Sequence, residues 1–180
     1  MKHIFYHLAA VMVVVVWGMT FISTKVLIVH GLSPQEIFLF RFLLAYAAVC
    51  PISFHRFFAR NLKDELYLVG GGVLGGSLFF FLQNMALGLT QASNVSFIIC
   101  TTPLLTAALT VLSVRMEKVS RGFIHGSIVA LLGVGLLIFN GSFILRISPL
   151  GDLLTLLASL SWAFYSLVIR SLTRKYSPAF

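Results

Sequence analysis

VVVVWGMTFISTKVLIVHGLSP, residues 13–34, starts as an unbroken hydrophobic run. It then admits Trp17, Thr20, Ser23, Thr24 and Lys25 before returning to Val26-Leu27-Ile28-Val29. A second stretch, SWAFYSLVIRSLTRKYSPAF at residues 161–180, repeats its plan. Trp17 matches Trp162, each followed by a small residue. Lys25 matches Arg170, eight residues on in both copies, and Ser33-Pro34 matches Ser177-Pro178 with one residue deleted. The offset is about 145 residues, and matches that keep their order and spacing mark an internal repeat.

What surrounds these copies sets their environment. Of the 180 residues, 59% are hydrophobic and 10% are charged, whereas soluble domains carry about a quarter charged residues. The chain therefore reads as an integral membrane protein. Six segments reach the ~20 residues that a hydrocarbon core demands: 8–29, 36–54, 66–88, 93–114, 123–143 and 150–171. Short polar or Gly/Pro punctuation separates them, as in HGLSPQ, TQAS and RISPLGD. The expected fold is all-α: a polytopic transmembrane helix bundle, six helices here from an inverted five-plus-five repeat. The N-terminal run is expected to be the first transmembrane helix and not a cleaved leader, because it outlasts a signal-peptide core and no small-x-small site ends it.

The basic residues orient the chain. With the N-terminus cytoplasmic, the inner loops hold Lys2, Arg56, Arg60, Lys63, Arg115, Lys118, Arg121, Arg170, Arg174 and Lys175, against Lys25, Arg41 and Arg146 outside. Ten against three follows the positive-inside rule. The same clustering accounts for the net charge of +8 without a nucleic-acid partner. Five helices separate the two copies of the repeat, so the second enters the membrane from the opposite face, an architecture common in secondary transporters. The expected division is 1–143 for the first five-helix repeat and 149–180 for the opening helix of a second. A complete second repeat would need four more helices, giving about 290 residues in all.

Polar groups facing a bundle interior are the candidates for function. Trp17, Thr20 and Thr24 share one helical face. Trp17 lies about 13 Å into its segment, too deep for an interfacial belt; it either lines a cavity or packs between helices. Trp162, Tyr165 and Ser166 repeat the start of that face. Gln83 and Asn84 are adjacent amides in a Phe-rich run, costly to bury without partners; they either bind a solute or bond neighbouring helices. Asn94 and Thr101 lie beside Pro103, whose missing donor breaks the helix, either for packing or along a substrate path. Lys25 and Arg41 are charge or gate candidates, each either snorkelling to the headgroups or touching the substrate. Glycine pairs Gly71/Gly75, Gly72/Gly76 and Gly122/Gly126 are expected to let helices approach closely. Cys50 and Cys100 are expected to be small buried hydrophobes. None of the five carboxylates, Glu36, Asp64, Glu65, Glu117 and Asp152, lies mid-membrane. Asp64, Glu65 and Glu117 are expected among basic loop residues, and no Cys/His cluster has metal-ligand spacing.

The order of motifs resembles the EamA-domain transporters of the drug/metabolite transporter superfamily. The matching pieces are WGMTFISTK, SPQEIFLFRFLLA, ALGLTQASNVSFIICTTPLLTAALTVL, MEKVSRGFIHGSIVALLGVGLL and the restart GDLLTLLASLSWAFYSLVIR. The resemblance implies ten helices, both termini cytoplasmic, and export of small metabolites. The resulting expectation is a secondary transporter in a bacterial inner membrane, exporting amino acids or related metabolites or drugs by alternating access. Its partners are a small-molecule substrate and the lipid bilayer, with no cofactor and no metal. The substrate-binding candidates are Trp17, Thr20, Thr24, Gln83, Asn84, Asn94, Thr101, Trp162 and Tyr165. The alternative is a half-transporter, or a membrane interaction subunit, that needs a second chain or a homo-oligomer to function. An enzyme is not expected: His3, His7, His30, His55 and His125 are scattered near helix ends without a nucleophile or base in reach.

Overall fold

The computed structural model describes residues 2–53, 61–113, 120–139, 148–173 and 176. Most of the basic loop residues used for orientation, Glu117, and the Ser177-Pro178 pair lie outside the described residues. Every regular element among the described residues is helical. They are α1 (Lys2–Val29), α2 (Pro34–Ser53), α3 (Leu62–Gly71) continuing through a π-helical segment (Gly72–Leu78) into α4 (Phe79–Leu89), α5 (Ala92–Ile99), α6 (Thr102–Ser113), α7 (Arg121–Phe139) and α8 (Pro149–Leu172).

These follow the six expected segments. Four stretches, Ile4–Val29, Leu62–Leu89, Ala92–Ser113 and Pro149–Leu172, are long and apolar enough to cross a membrane. α2 and α7 trace the other two, with 20 and 19 residues. α1 is apolar all round, with Val11 to Val16 exposed, as a helix facing lipid should be. The chain is thus an all-α membrane helix bundle.

Local chemistry sets the helix ends. Gly31, with φ of +101°, is the one described residue with positive φ. The Leu32 amide donates to the Leu27 carbonyl and the Gly31 amide to Ile28, both at 3.1 Å, which is the paired closure of a left-handed glycine stop. Ser33 then begins α2 as a capping box: the Glu36 carboxylate accepts from the Ser33 amide and hydroxyl, each at 2.8 Å, with Pro34 at the first helical position. Ser148 and Pro149 repeat the device on α8, where the Ser148 hydroxyl accepts from the Gly151 amide at 3.4 Å and Asp152 from the Ser148 amide at 3.2 Å. Asp152 therefore stands as a helix cap. Between α5 and α6 the Thr101 amide reaches back only three residues, to Ile98, which is the expected break before Pro103.

Packing centres on α8. It lies along α3, the π segment and α4, and it also contacts α5 and α6. α1 packs on α4, α5 and α2, and α7 on α5 and α6. The glycines explain the closest approach. A Cβ on Gly75 would lie 2.5 Å from the Tyr165 ring, and one on Gly71 would touch the same ring at 3.7 Å. These two small residues form the notch that receives α8. The π segment adds a hydrogen bond there: the Leu74 carbonyl accepts from both the Phe79 amide and the Ser161 hydroxyl of α8, the latter at 2.8 Å. The other pairs depart from expectation. Gly76 meets only Phe42, and Gly72, Gly122 and Gly126 have nothing within 4 Å, so Gly122 and Gly126 bring no described helix close.

Candidate functional site

A cavity of about 910 Å³ opens among α1, α4, α5, α6, α7 and α8. Its aromatic wall is Trp17, Phe21, Phe79 and Trp162. The Trp17 and Trp162 rings meet at 5.5 Å between centroids, with Phe79 4.7 Å from Trp162 and 6.5 Å from Trp17. The two tryptophans that the sequence matched to each other thus meet in space. Trp17 is also anchored from behind, packing on the core cluster of Phe21, Ala86, Leu87 and Val95.

The opposite wall is a hydroxyl ladder that sequence reading overlooked. Thr102, Thr106 and Thr110 lie four residues apart on α6 and all line the cavity, together with Ser96, Cys100 and Pro103. The signal was present as a Thr-x-x-x-Thr-x-x-x-Thr spacing, one helical stripe. Three of these hydroxyls are occupied within their own helices: Thr106 donates to the Thr102 carbonyl at 2.9 Å, Thr110 to Thr106 at 2.7 Å and Ser96 to Ala92 at 2.7 Å. The Thr102 hydroxyl is buried with no hydrogen-bond partner among the described residues. Among the described residues, no charged side chain lines this cavity.

The other expected residues divide by position. Trp17, Trp162 and Pro103 line the cavity, whereas Thr20 does not. Thr20 lines a second space of about 510 Å³ and donates to the Trp17 carbonyl at 2.6 Å. Thr24 is wholly buried and accepts from Arg41 at 2.9 Å. Gln83 is wholly buried, both its amide atoms lack partners among the described residues, and it lines neither space. Asn84 donates to the Pro34 carbonyl at 3.5 Å, the long limit, and its Oδ1 has no described partner. Asn94 is buried against Thr90, at 3.4 Å, and Thr101 returns its hydroxyl to Ile98 at 2.6 Å. Tyr165 stacks 5.1 Å from Trp162 and fills the glycine notch. These amides, Thr24, Thr101 and Tyr165 therefore sit between helices and not on the cavity wall.

Both charge candidates turn inward. The Lys25 ammonium donates to the carbonyls of Leu87 and Thr90 at 2.7 and 2.8 Å. It closes the C-terminus of α4, where unsatisfied carbonyls concentrate negative potential. This replaces the expected reach toward the headgroups. Arg41 crosses from α2 to Thr24 and lies 5.7 Å over the Phe80 ring. Asp64 is buried and accepts from the Tyr176 hydroxyl at 2.9 Å, not merely solvated in its loop. Cys50 is half-buried and Cys100 exposed in the cavity; both are free thiols, and Cys100 is less buried than its apolar segment suggested. His30 and His125 each place Nδ1 2.8 Å from a carbonyl of their own helix.

The chain matches the EamA-like transporter family over residues 4–139, and it belongs to that family. It is 27% identical over 174 residues to the uncharacterized transporter YcxC of Bacillus subtilis (strain 168), across 94% of this chain and 55% of that relative. The chain thus spans about half the length of the curated relative it matches. No solved structure matches it.

Proposed function

We propose that this protein is a secondary carrier of small organic solutes, and that it exports amino acids or related metabolites and drugs by alternating access. The observation that carries this reading is the meeting of Trp17 and Trp162 on the aromatic wall of the larger cavity. Two equivalent helices that rock about a shared site need such a meeting point. The volume suits a small organic ligand. The uncharged, aromatic and hydroxyl-bearing lining favours solutes with an apolar or aromatic body and a hydrogen-bonding group over compact ions. Thr102 supplies the free hydroxyl, and the α5–α6 break at Pro103 provides a place for the helix to bend. The inner membrane, with the N-terminus cytoplasmic, is the setting that the loop charges favour.

The test begins in cells challenged with toxic amino-acid analogues and continues in proteoliposomes made with the same chain. Expression should raise tolerance and give saturable flux, and Trp17→Ala and Trp162→Ala should each reduce flux by about tenfold or more. Normal flux in both variants would remove the cavity from the transport path. A second reading is a half-transporter that assembles with another copy or chain. In that case flux would appear only from an oligomer, visible by cross-linking in the same vesicles.

A further inference from the structure

We infer that the smaller cavity is a separate binding site for an oxyanion carried on an apolar body, with Arg41 as its anchor. The space of about 510 Å³ is walled by Met12, Val13, Val16, Trp17, Thr20, Arg41 and Phe80, so it lies between α1, α2 and α4. Its position shares only Trp17 with the larger cavity. Among the described residues, Arg41 is the one charged group on its wall.

The argument is one of charge compensation. Arg41 is the eighth residue of α2, about 10 Å along the helix from Pro34. A guanidinium at such a depth is costly unless it pairs with an anion or reaches water. Arg41 meets no anion among its described neighbours. Its single hydrogen bond among them is to the hydroxyl of Thr24, a side chain with no exposure at all. The guanidinium also sits over the Phe80 ring, a contact that holds its orientation but cancels no charge. Glu36, on the same helix, spends its carboxylate on the Ser33 cap, and Arg41 forms no ion pair among the described residues. Lys25, beside Thr24 in the chain, adds a second cation and is committed to the α4 terminus.

A planar fork with most of its donors unspent matches a carboxylate or phosphate bidentately. The walls at Met12, Val13 and Val16 are aliphatic and open to the outside of the bundle, so the remainder of the ligand is apolar. Two sources carry this chemistry: a carboxylate-bearing solute, or an anionic lipid whose chain lies along α1.

The experiment uses the purified full chain in nanodiscs and reads tryptophan fluorescence, because Trp17 lines the site. Octanoate is the probe in phosphatidylcholine discs, and phosphatidylglycerol discs form the second arm. Octanoate should bind saturably. Arg41→Gln should weaken it by at least about tenfold, and Arg41→Lys, which keeps the charge but loses the fork, should fall between Arg41→Gln and the unmodified chain. Val16→Phe, which leaves Arg41 intact and fills the space, should also abolish binding, and it separates occupancy of the cavity from any folding fault of the arginine variants. Octanoate binding equal in both disc types identifies a solute site; binding suppressed by phosphatidylglycerol identifies the lipid as occupant. No saturable octanoate response in either disc type, or equal affinity in the unmodified chain and Arg41→Gln, overturns the inference. None of these results bears on flux through the larger cavity, which the Trp162 variant tests separately.

Discussion

Gly75→Ala should destabilise the bundle, while Gly72→Ala, three residues earlier in the same π segment, should not. A Cβ at Gly75 would lie 2.5 Å from Cγ and Cδ2 of Tyr165 and 2.9 Å from Cδ1, against a comfortable carbon separation of about 3.5–4.0 Å. The ring must therefore retreat by roughly 1 Å or α8 must shift. The ring is backed by Trp162 at 5.1 Å, so it cannot swing freely. Overpacking of this kind costs about 1–3 kcal/mol, reduced by the ~0.5–1 kcal/mol that alanine gains over glycine in a helix. At Gly72 nothing lies within 4 Å, so only the favourable part remains. For a chain of this size 1 kcal/mol moves the unfolding midpoint by about 2–4 °C. Thermal unfolding in detergent should show Gly75→Ala lower by several degrees and Gly72→Ala level or slightly higher. Adding Tyr165→Leu to Gly75→Ala should recover part of the loss. Equal midpoints for the two glycine variants would refute the notch as the place where α8 docks.

Three further outcomes follow from the same geometry. Lys25→Met removes two charge-assisted hydrogen bonds from the end of α4, so the midpoint should fall by an amount corresponding to about 2–4 kcal/mol; an unchanged midpoint means the lysine is not a cap. Thr102→Val removes a buried hydroxyl that has no described partner, so stability should hold or rise by about 1 kcal/mol while flux declines, and a drop in stability would show that the hydroxyl is engaged. N-ethylmaleimide should label Cys100, exposed on the cavity wall, faster than half-buried Cys50, because access to the thiol limits the reaction, as read by mass spectrometry of the Cys50→Ser and Cys100→Ser chains; comparable rates would argue that the cavity is closed to solutes.

Membrane character and helix placement were legible because both depend on local composition. An apolar run of about 20 residues admits one structure in lipid, a helix whose backbone groups bond to one another. The helix stops were legible for the same reason: Gly31 and the Ser33-Pro34 pair act within a single turn. Trp17 and Trp162 could be picked out because a repeat is a property of the string itself. The remaining candidates fared differently. Gln83, Asn84, Asn94 and Tyr165 are polar at membrane depth, and depth alone does not say whether a side chain faces a cavity or a neighbouring helix. The threonine ladder of α6 was passed over because threonine is common in apolar helices and its spacing carries no charge.

The sequence by itself thus determined that the chain is a helical membrane protein and where its helices run, and it singled out the two tryptophans. Only the tertiary structure decided that those tryptophans meet on one wall of a cavity, that Tyr165 belongs to the Gly71/Gly75 notch, and that Lys25 and Arg41 point inward. The physical reason is reach. Hydrophobicity and capping act over a few residues, whereas Lys25 finds its carbonyls 62 and 65 residues away and Ser161 its own 87 residues away. Partners that far apart are chosen by how the helices pack, which no local pattern encodes.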